Sequence, residues 1–252
     1  MYLQSNSNLS VLIITLNEEA NMPALLNDLD FADEVIVIDS FSTDRTKEIA
    51  LTFKNVRFIE NPFENFTSQR NFALDQARNK WVLFIDADER LTPELKEEIN
   101  EVIARNEDVS AYLFYRKFFF KEKHLRFSGW QTDKIFRLFK KDKVRYTYKR
   151  LVHEKLDVNG KIGILKNKLI HYSYHDYHSY KNKMRTYGKL KAMEKNRLGY
   201  KPAALKTVAH PIYTFLYQYL VRLGFLDGRK GIIICYLNAF SVHERYKTLK
   251  KL

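Results

Sequence analysis

Trp81-Val82-Leu83-Phe84-Ile85-Asp86-Ala87-Asp88 is a run of five apolar residues leading directly into a pair of acids. An apolar run this short, rich in aromatic and branched side chains, has the length of a strand covered on both faces. Leu9-Ser-Val-Leu-Ile-Ile-Thr15 and Glu34-Val-Ile-Val-Ile-Asp39 repeat the pattern, and Val56 to Glu60 is a shorter copy. Between these runs lie amphipathic stretches. Asn21 to Leu29 carries Pro23 in its first turn, Lys47 to Thr52 follows Ser42 and Thr43 as candidate caps, and Phe66 to Ala77 precedes the Trp81 run. Thr92-Pro93-Glu94 then opens a helix to Ile103, with a cap, a proline and an acid in order.

Doubly buried strands alternating with helices imply a parallel sheet joined by right-handed crossovers. In such sheets ligands bind beyond the carboxyl ends of the strands. The polar residues at those ends are Thr15-Leu16-Asn17-Glu18, Asp39-Ser40 and Asp86-Ala87-Asp88. The pattern therefore predicts that all three clusters share one edge of one sheet.

Beyond Ala111 the texture changes. Tyr112 to Phe120, Lys134 to Phe139 and Arg150 to Leu156 read as further strands, aromatic and basic. After His175 the pattern is helical, near Tyr177–Arg197, Pro202–Leu223 and Arg229–Tyr246. The expected division is an α/β domain over residues 1–175 and a basic, aromatic helical extension over 176–252.

Charge follows the same division. The chain of 252 residues has a net charge of +13, but residues 1–110 hold 10 basic against 21 acidic residues, a net −11, while residues 111–252 carry +24. An acidic half suits a cation and a nucleotide, and a basic half suits an anionic surface. A uniformly basic nucleic-acid binder does not explain three acidic strand ends, so nucleic acid is not the expected partner. A lone cysteine, Cys235, gives no disulfide framework, and residues 1–8 lack the basic and apolar regions of a secretory signal. In the tail, Thr207–Val221 and Gly231–Val242 are uncharged over 15 and 12 residues. A spanning helix needs about 20. These stretches read as interfacial helices on a membrane or as helices packed on protein, including a second copy of the chain.

Asp86 and Asp88 stand at i and i+2. If the strand stays extended, both carboxylates point one way, and two such charges call for a hard divalent ion, Mg2+ or Mn2+, with phosphate oxygens completing the shell. The competing reading is a solvated turn. Asp39 suits hydrogen bonds from a ribose or base. His171, His175 and His178 with Asp176 are interleaved with tyrosines and read as a packed aromatic junction, without the ligand set zinc wants.

Ile13-Ile-Thr-Leu-Asn-Glu-Glu19, Val37-Ile-Asp-Ser-Phe-Ser-Thr-Asp-Arg-Thr46, Gln69-Arg-Asn71 and Phe84-Ile-Asp-Ala-Asp-Glu89, in this order and spacing, resemble glycosyltransferase family 2 and its GT-A fold. Gln69-Arg70-Asn71, Val152-His153-Glu154 and the basic tail make the chain similar to the lipopolysaccharide-core β-1,4-glucosyltransferase group within it. The resemblance implies a UDP-sugar donor, glucose being the sugar of that group. It also implies an anionic glycolipid acceptor and a place on the inner face of the cytoplasmic membrane. Thr15, Asn17 and Glu18 would line the uridine pocket and Asp39 would contact uracil or ribose. Arg70 would hold the nucleotide or order the site. Asp88 would be the main metal ligand, and Asp86 would help it or bond the sugar. Members of the family invert the anomeric centre by direct displacement, which requires a general base. Glu154 is the expected base, with Glu89 and Asp133 as rivals and a salt bridge to Lys149, Arg150 or Lys155 as its structural alternative. Arg137 is expected at the diphosphate, and Trp130 and His153 toward the sugar or acceptor. A polyprenyl phosphate, another glycan or a peptide are the alternative acceptors.

Overall fold

The structure, a computed structural model, describes residues 8–120, 123–147, 155–174 and 176–252. The described residues form two compact units, the first within Met1–Arg116, Lys134–Tyr148 and Glu154–His171, the second within Lys117–Asp133, Lys149–His153 and Tyr172–Leu252. The helical tail thus shares its unit with residues 117–133, which sequence patterning groups with the strands.

The first unit is built on β1 (Leu9–Thr15), β2 (Glu34–Asp39), β3 (Val56–Glu60) and β4 (Trp81–Phe84), parallel neighbours in the order β3-β2-β1-β4. Alternation decides which side chain serves which face. Leu9, Val11 and Ile13 of β1 join Val35, Val37, Trp81 and Leu83 on one face, against Met22, Leu25 and Leu26 of α1 (Met22–Asp28) and Leu95 and Ile99 of α4 (Pro93–Arg105). Leu12, Ile36, Ile38, Val82 and Phe84 form the other face, against Ala73 and Leu74 of α3 (Phe66–Gln76). Both faces are covered, as the unbroken apolar runs predict.

The sheet continues antiparallel. β8 (Lys134–Lys140) pairs with β4 and with β6 (Ala111–Phe120), and β12 (Leu169–Tyr174) follows β6 and pairs with β5 (Glu89–Arg90). β11 (Ile162–Ile164) lies parallel on β6, and β9 (Val144–Thr147) with β10 (Lys155–Val158) forms a separate two-stranded ribbon. Of the strand expected over Arg150–Leu156, Lys155 and Leu156 lie in β10 and the rest falls outside the described residues.

Two helix starts differ in kind. Thr92 caps α4 by accepting from Leu95 N–H, as its Thr-Pro-Glu sequence predicts. α2 (Thr46–Ala50) is only five residues long, and at its start Asp44 Oδ1 accepts from Thr46 N–H at 3.0 Å while Ser42 and Thr43 bond elsewhere in the site.

In the second unit the end of β6 pairs antiparallel with β7 (Lys123–Leu125), Phe118 opposite Leu125. Phe118, Phe120 and Leu125 are buried with Tyr180 and Met184 of α5 (Tyr177–Arg197) and Ile234 and Leu237 of α7 (Arg229–Leu249). Gly188 lets α5 and α7 approach closely. A Cβ there would stand 2.6 Å from the Ser241 carbonyl oxygen. α6 (Ala204–Leu216) contains Pro211 and continues into a π turn at Tyr217–Val221. The buried carboxylate of Asp227 accepts from Arg126 N–H and Phe127 N–H, both at 3.0 Å, and from the Ser128 hydroxyl, tying this loop to the turn before α7.

Candidate active site

Parallel register places Thr15 opposite Asp39, and the Thr15 hydroxyl donates to Asp39 Oδ1 at 2.9 Å. The Ser42 N–H and hydroxyl also donate to that carboxylate, at 2.7 and 2.5 Å. Asp39 is 1% exposed and shapes the loop that follows β2. Asn17, at φ 57°, answers from the neighbouring strand end. Its N–H donates to Ser42 Oγ and its side-chain carbonyl accepts from Thr43 N–H, both at 2.8 Å. Glu18 N–H donates to Thr46 Oγ1 at 2.8 Å. The loops after β1 and β2 are therefore laced together over the sheet edge by short polar side chains.

Gln69, Arg70 and Asn71 each grip a different strand. Gln69 holds the ends of β2 and β3 through Ser40 and Asn61. Arg70 reaches Asp86 Oδ1 at 3.1 Å, with its guanidinium over the Phe84 ring. Asn71 exchanges two hydrogen bonds with the Tyr146 backbone of β9, at 2.9 and 3.0 Å.

Asp86 and Asp88 do not continue the strand. β4 ends at Phe84, and Glu89 N–H donates to the Asp86 carbonyl at 3.0 Å, closing a turn over Ala87 and Asp88. Their carboxylates therefore meet different partners instead of forming the aligned pair that extended geometry implies. Asp86 lies between Arg70 and Arg137, and Asp88 Oδ2 lies 3.3 Å from His171 Nε2. Burial alone would raise the Asp86 carboxyl, but the charge of Arg137, then of Arg70 and His171, holds it well below the usual carboxylate range. Burial likewise opposes the Arg137 charge, and Asp86 and Glu89 overcome it, so the guanidinium stays protonated. A carboxylate committed to two arginines is a poor partner for a cation. The expectation of Asp86 as a metal ligand does not fit this arrangement.

Arg137 differs from expectation too. Its side chain is 1% exposed and pairs with Asp86 and, at 2.7 Å, with Glu89, so it braces the turn from beneath. Glu89 is fully buried, accepts from Asp86 N–H at 3.1 Å and has Arg116 at 3.6 Å.

His171 is the residue that sequence patterning misplaces. It reads as an aromatic junction, yet the antiparallel pairing of His171 with Glu89 in β5 sets it beside Asp88. Among the described residues no three His, Cys, Asp or Glu side chains gather into a closed metal cage. One carboxylate and one imidazole suit an open site that takes its remaining donors from phosphate oxygens and water. His153, Glu154 and His175 lie outside the described residues. Trp130 and Asp133 belong to the second unit, where Trp130 stacks on Phe118 with ring centroids 3.6 Å apart.

The model of glycosyl transferase family 2 matches residues 10–160. The chain belongs to glycosyl transferase family 2. This family 2 enzyme is similar to the lipopolysaccharide core biosynthesis glycosyltransferase LpsC of Rhizobium meliloti, with 28% identity over 94% of this chain and 93% of that one. It is 31% identical to the uncharacterized glycosyltransferase RT0209 of Rickettsia typhi, over 97% of this chain and 87% of that one. Among solved structures it shares its fold with the mannosyltransferase PcManGT from Pyrobaculum calidifontis in complex with GDP-Man and Mn2+. The TM-score is 0.59 at 14% identity, covering 97% of this chain and 87% of that one. S. aureus TarS 1-349 in complex with UDP-GlcNAc superposes with a TM-score of 0.50 at 16% identity, over 96% and 90% of the two chains. These likenesses make the family 2 fold GT-A-like, a mixed sheet flanked by helices with a helical C-terminal region.

Proposed function

We propose that this family 2 glycosyltransferase moves a hexose, glucose in the first instance, from a UDP-sugar to a lipopolysaccharide-core or similar anionic glycolipid, inverting the anomeric centre. The observation that carries the reading is the pair of Asp88 and His171, 3.3 Å apart and next to the row of strand ends occupied by Thr15, Asp39 and Asp86. Asp88 and His171 would hold a divalent cation, Mg2+ or Mn2+, which supplies positive charge to the departing diphosphate. Complexes of PcManGT with GDP-Man and Mn2+ and of TarS with UDP-GlcNAc make a nucleotide-sugar and a metal the natural ligands to try. Thr15, Asn17, Glu18 and Asp39 receive the nucleoside, and Arg70 and Arg137 keep the Asp86 turn in place beneath it.

Glu154 would take the proton from the acceptor hydroxyl as that oxygen bonds to the anomeric carbon from the face opposite the diphosphate and the bond from that carbon to the diphosphate breaks. The similarity to LpsC of Rhizobium meliloti favours a lipopolysaccharide-core acceptor, and a lipid-linked acceptor places the reaction at the inner surface of the cytoplasmic membrane. The test is donor hydrolysis and transfer over a panel of UDP-sugars, with and without EDTA. UDP-glucose should be turned over, and EDTA should abolish turnover. Undiminished activity in EDTA overturns the metal, and indifference to every UDP-sugar overturns the donor.

A further inference from the structure

From Ala203 to Val221 the chain carries one formal charge, Lys206. Within α6, Leu205, Val208, Ile212 and Leu216 recur at steps of three, four and four, so they share one face. That face is open to solvent, with Leu205 78%, Val208 62% and Ile212 55% exposed. Beside it, the exposed rings of Tyr213 and Tyr217 stack with centroids 5.7 Å apart. The opposite side of the helix is the packed one. Thr207 is buried, and His210 Nδ1 lies 2.8 Å from the Tyr246 hydroxyl of α7. The helix is anchored by its back and presents an apolar front. A contiguous apolar surface of this kind marks an interaction site.

Charge decides what covers it. Residues 172–252 hold 16 Lys and Arg against four Asp and Glu, a net +12. Asp227 and Glu244 are buried and Asp176 caps α5, which leaves Glu194 as the remaining acid of the four. A second copy would set +12 against +12, whereas an anionic surface is complementary. The ground beside α6 has the same two-part chemistry. An apolar groove of about 370 Å³ runs between α6 and α7, lined by Ile212, Phe215, Leu216, Tyr236 and Phe240. A neighbouring hollow of about 570 Å³ is edged by Lys247, Lys250 and Lys251. An apolar floor with ammonium groups at its rim fits acyl chains under anionic headgroups. No helix among the described residues is long and apolar enough to cross a membrane, so the contact is one of lying in the surface.

We propose that α6 is an interfacial helix. It lies in the headgroup layer of a bilayer containing anionic lipid, with Leu205, Val208, Ile212 and Leu216 toward the acyl chains and Lys247, Lys250 and Lys251, at and just beyond the end of α7, at the phosphates. This deepens the functional reading above and rests on it only for the lipid-linked acceptor. The test is flotation of the full chain with phosphatidylcholine vesicles, with and without phosphatidylglycerol. The wild type should float with the anionic vesicles and bind neutral ones at least about tenfold less. Leu205→Glu with Ile212→Glu should cut binding to anionic vesicles at least about tenfold while UDP-glucose hydrolysis in vesicle-free solution stays unchanged. A fluorophore sensitive to polarity, attached at Leu216→Cys, should shift to the blue on adding anionic vesicles. A wild type that does not float, a double variant that floats equally well, or an unshifted fluorophore overturns the proposal. So does a lipid-free dimer that the double variant dissolves, since a second copy then covers the face. Flotation without hydrolysis leaves this proposal standing and removes the functional reading instead.

Discussion

Arg137 Nη2 lies 2.7 Å from Glu89 Oε1, and the two side chains are 1% and 0% exposed. The same nitrogen reaches Asp86, and Arg116 stands farther from Glu89, at 3.6 Å. Removing one partner of a buried pair strands the other's charge at a cost of about 3–5 kcal/mol. Arg137→Ala should therefore lose about that much unfolding free energy in urea. A loss below about 1 kcal/mol would mean that Arg116 alone neutralises Glu89.

Asp88→Asn tests the opposite kind of residue. Its carboxylate is partly open, 23% exposed, so stability should change by less than about 1 kcal/mol. Transfer should fall by about a hundredfold or more, and thermal stabilisation by UDP with Mn2+ should disappear. Stabilisation equal to that of the wild type would remove Asp88 from the metal.

Glu154→Gln separates proton transfer from donor binding. Transfer should drop by about 10²- to 10⁴-fold while the KM for the UDP-sugar stays unchanged. Near-normal turnover passes the role to Asp133, which Asp133→Asn would then reveal.

Asn71→Leu removes both hydrogen bonds to the Tyr146 backbone and buries those groups unpaired. The cost should be about 1–3 kcal/mol in urea unfolding. Tyr146 also lies under the Arg70 guanidinium, 5.7 Å from its ring centroid, so donor affinity should weaken in parallel. Unaltered donor affinity would uncouple β9 from the site.

Asp75 and Arg145 join α3 to β9 at the surface. The hydrogen bond from Arg145, against some desolvation, lowers the Asp75 carboxyl below its ordinary value. A lowered folded value gives stability that is present above the unfolded pKa of about 4 and lost as pH falls through the folded one. Asp75→Asn should cost less than about 1 kcal/mol at neutral pH, and the difference should close below about pH 4. A gap that persists in acid would make it a packing effect.

The parallel half of the molecule was readable because each of its strands announces itself locally. Leu9–Thr15, Glu34–Asp39 and Trp81–Phe84 are apolar runs whose ends the crossover rule places on one edge. The site was only partly readable, since its partners come from antiparallel strands whose register no local pattern encodes. His171 meets Asp88 through β12 and β5, more than eighty residues apart, and Arg137 meets Asp86 through β8. Arg137, expected at the diphosphate, is buried at β8 with its charge paired to Asp86 and Glu89, partners that no local pattern announces. The caps expected at Ser42 and Thr43 failed because Asp39 and Asn17, equally short and polar, compete for the same groups.

The Asp227 clasp has a consequence in time. Its carboxylate receives the amides of Arg126 and Phe127, about a hundred positions earlier in the chain. Phe118 and Phe120 likewise find their apolar neighbours in α5 and α7. A ribosome that has made residues 117–133 has therefore made a segment that can pair with itself but still lacks the helices and the carboxylate that cover it. The parallel strands can condense as they emerge, but this middle segment must wait, exposed, until α7 has followed. Chaperone capture and protease nicking of the nascent chain should concentrate there, between an early-folding half and the helices that arrive to complete it.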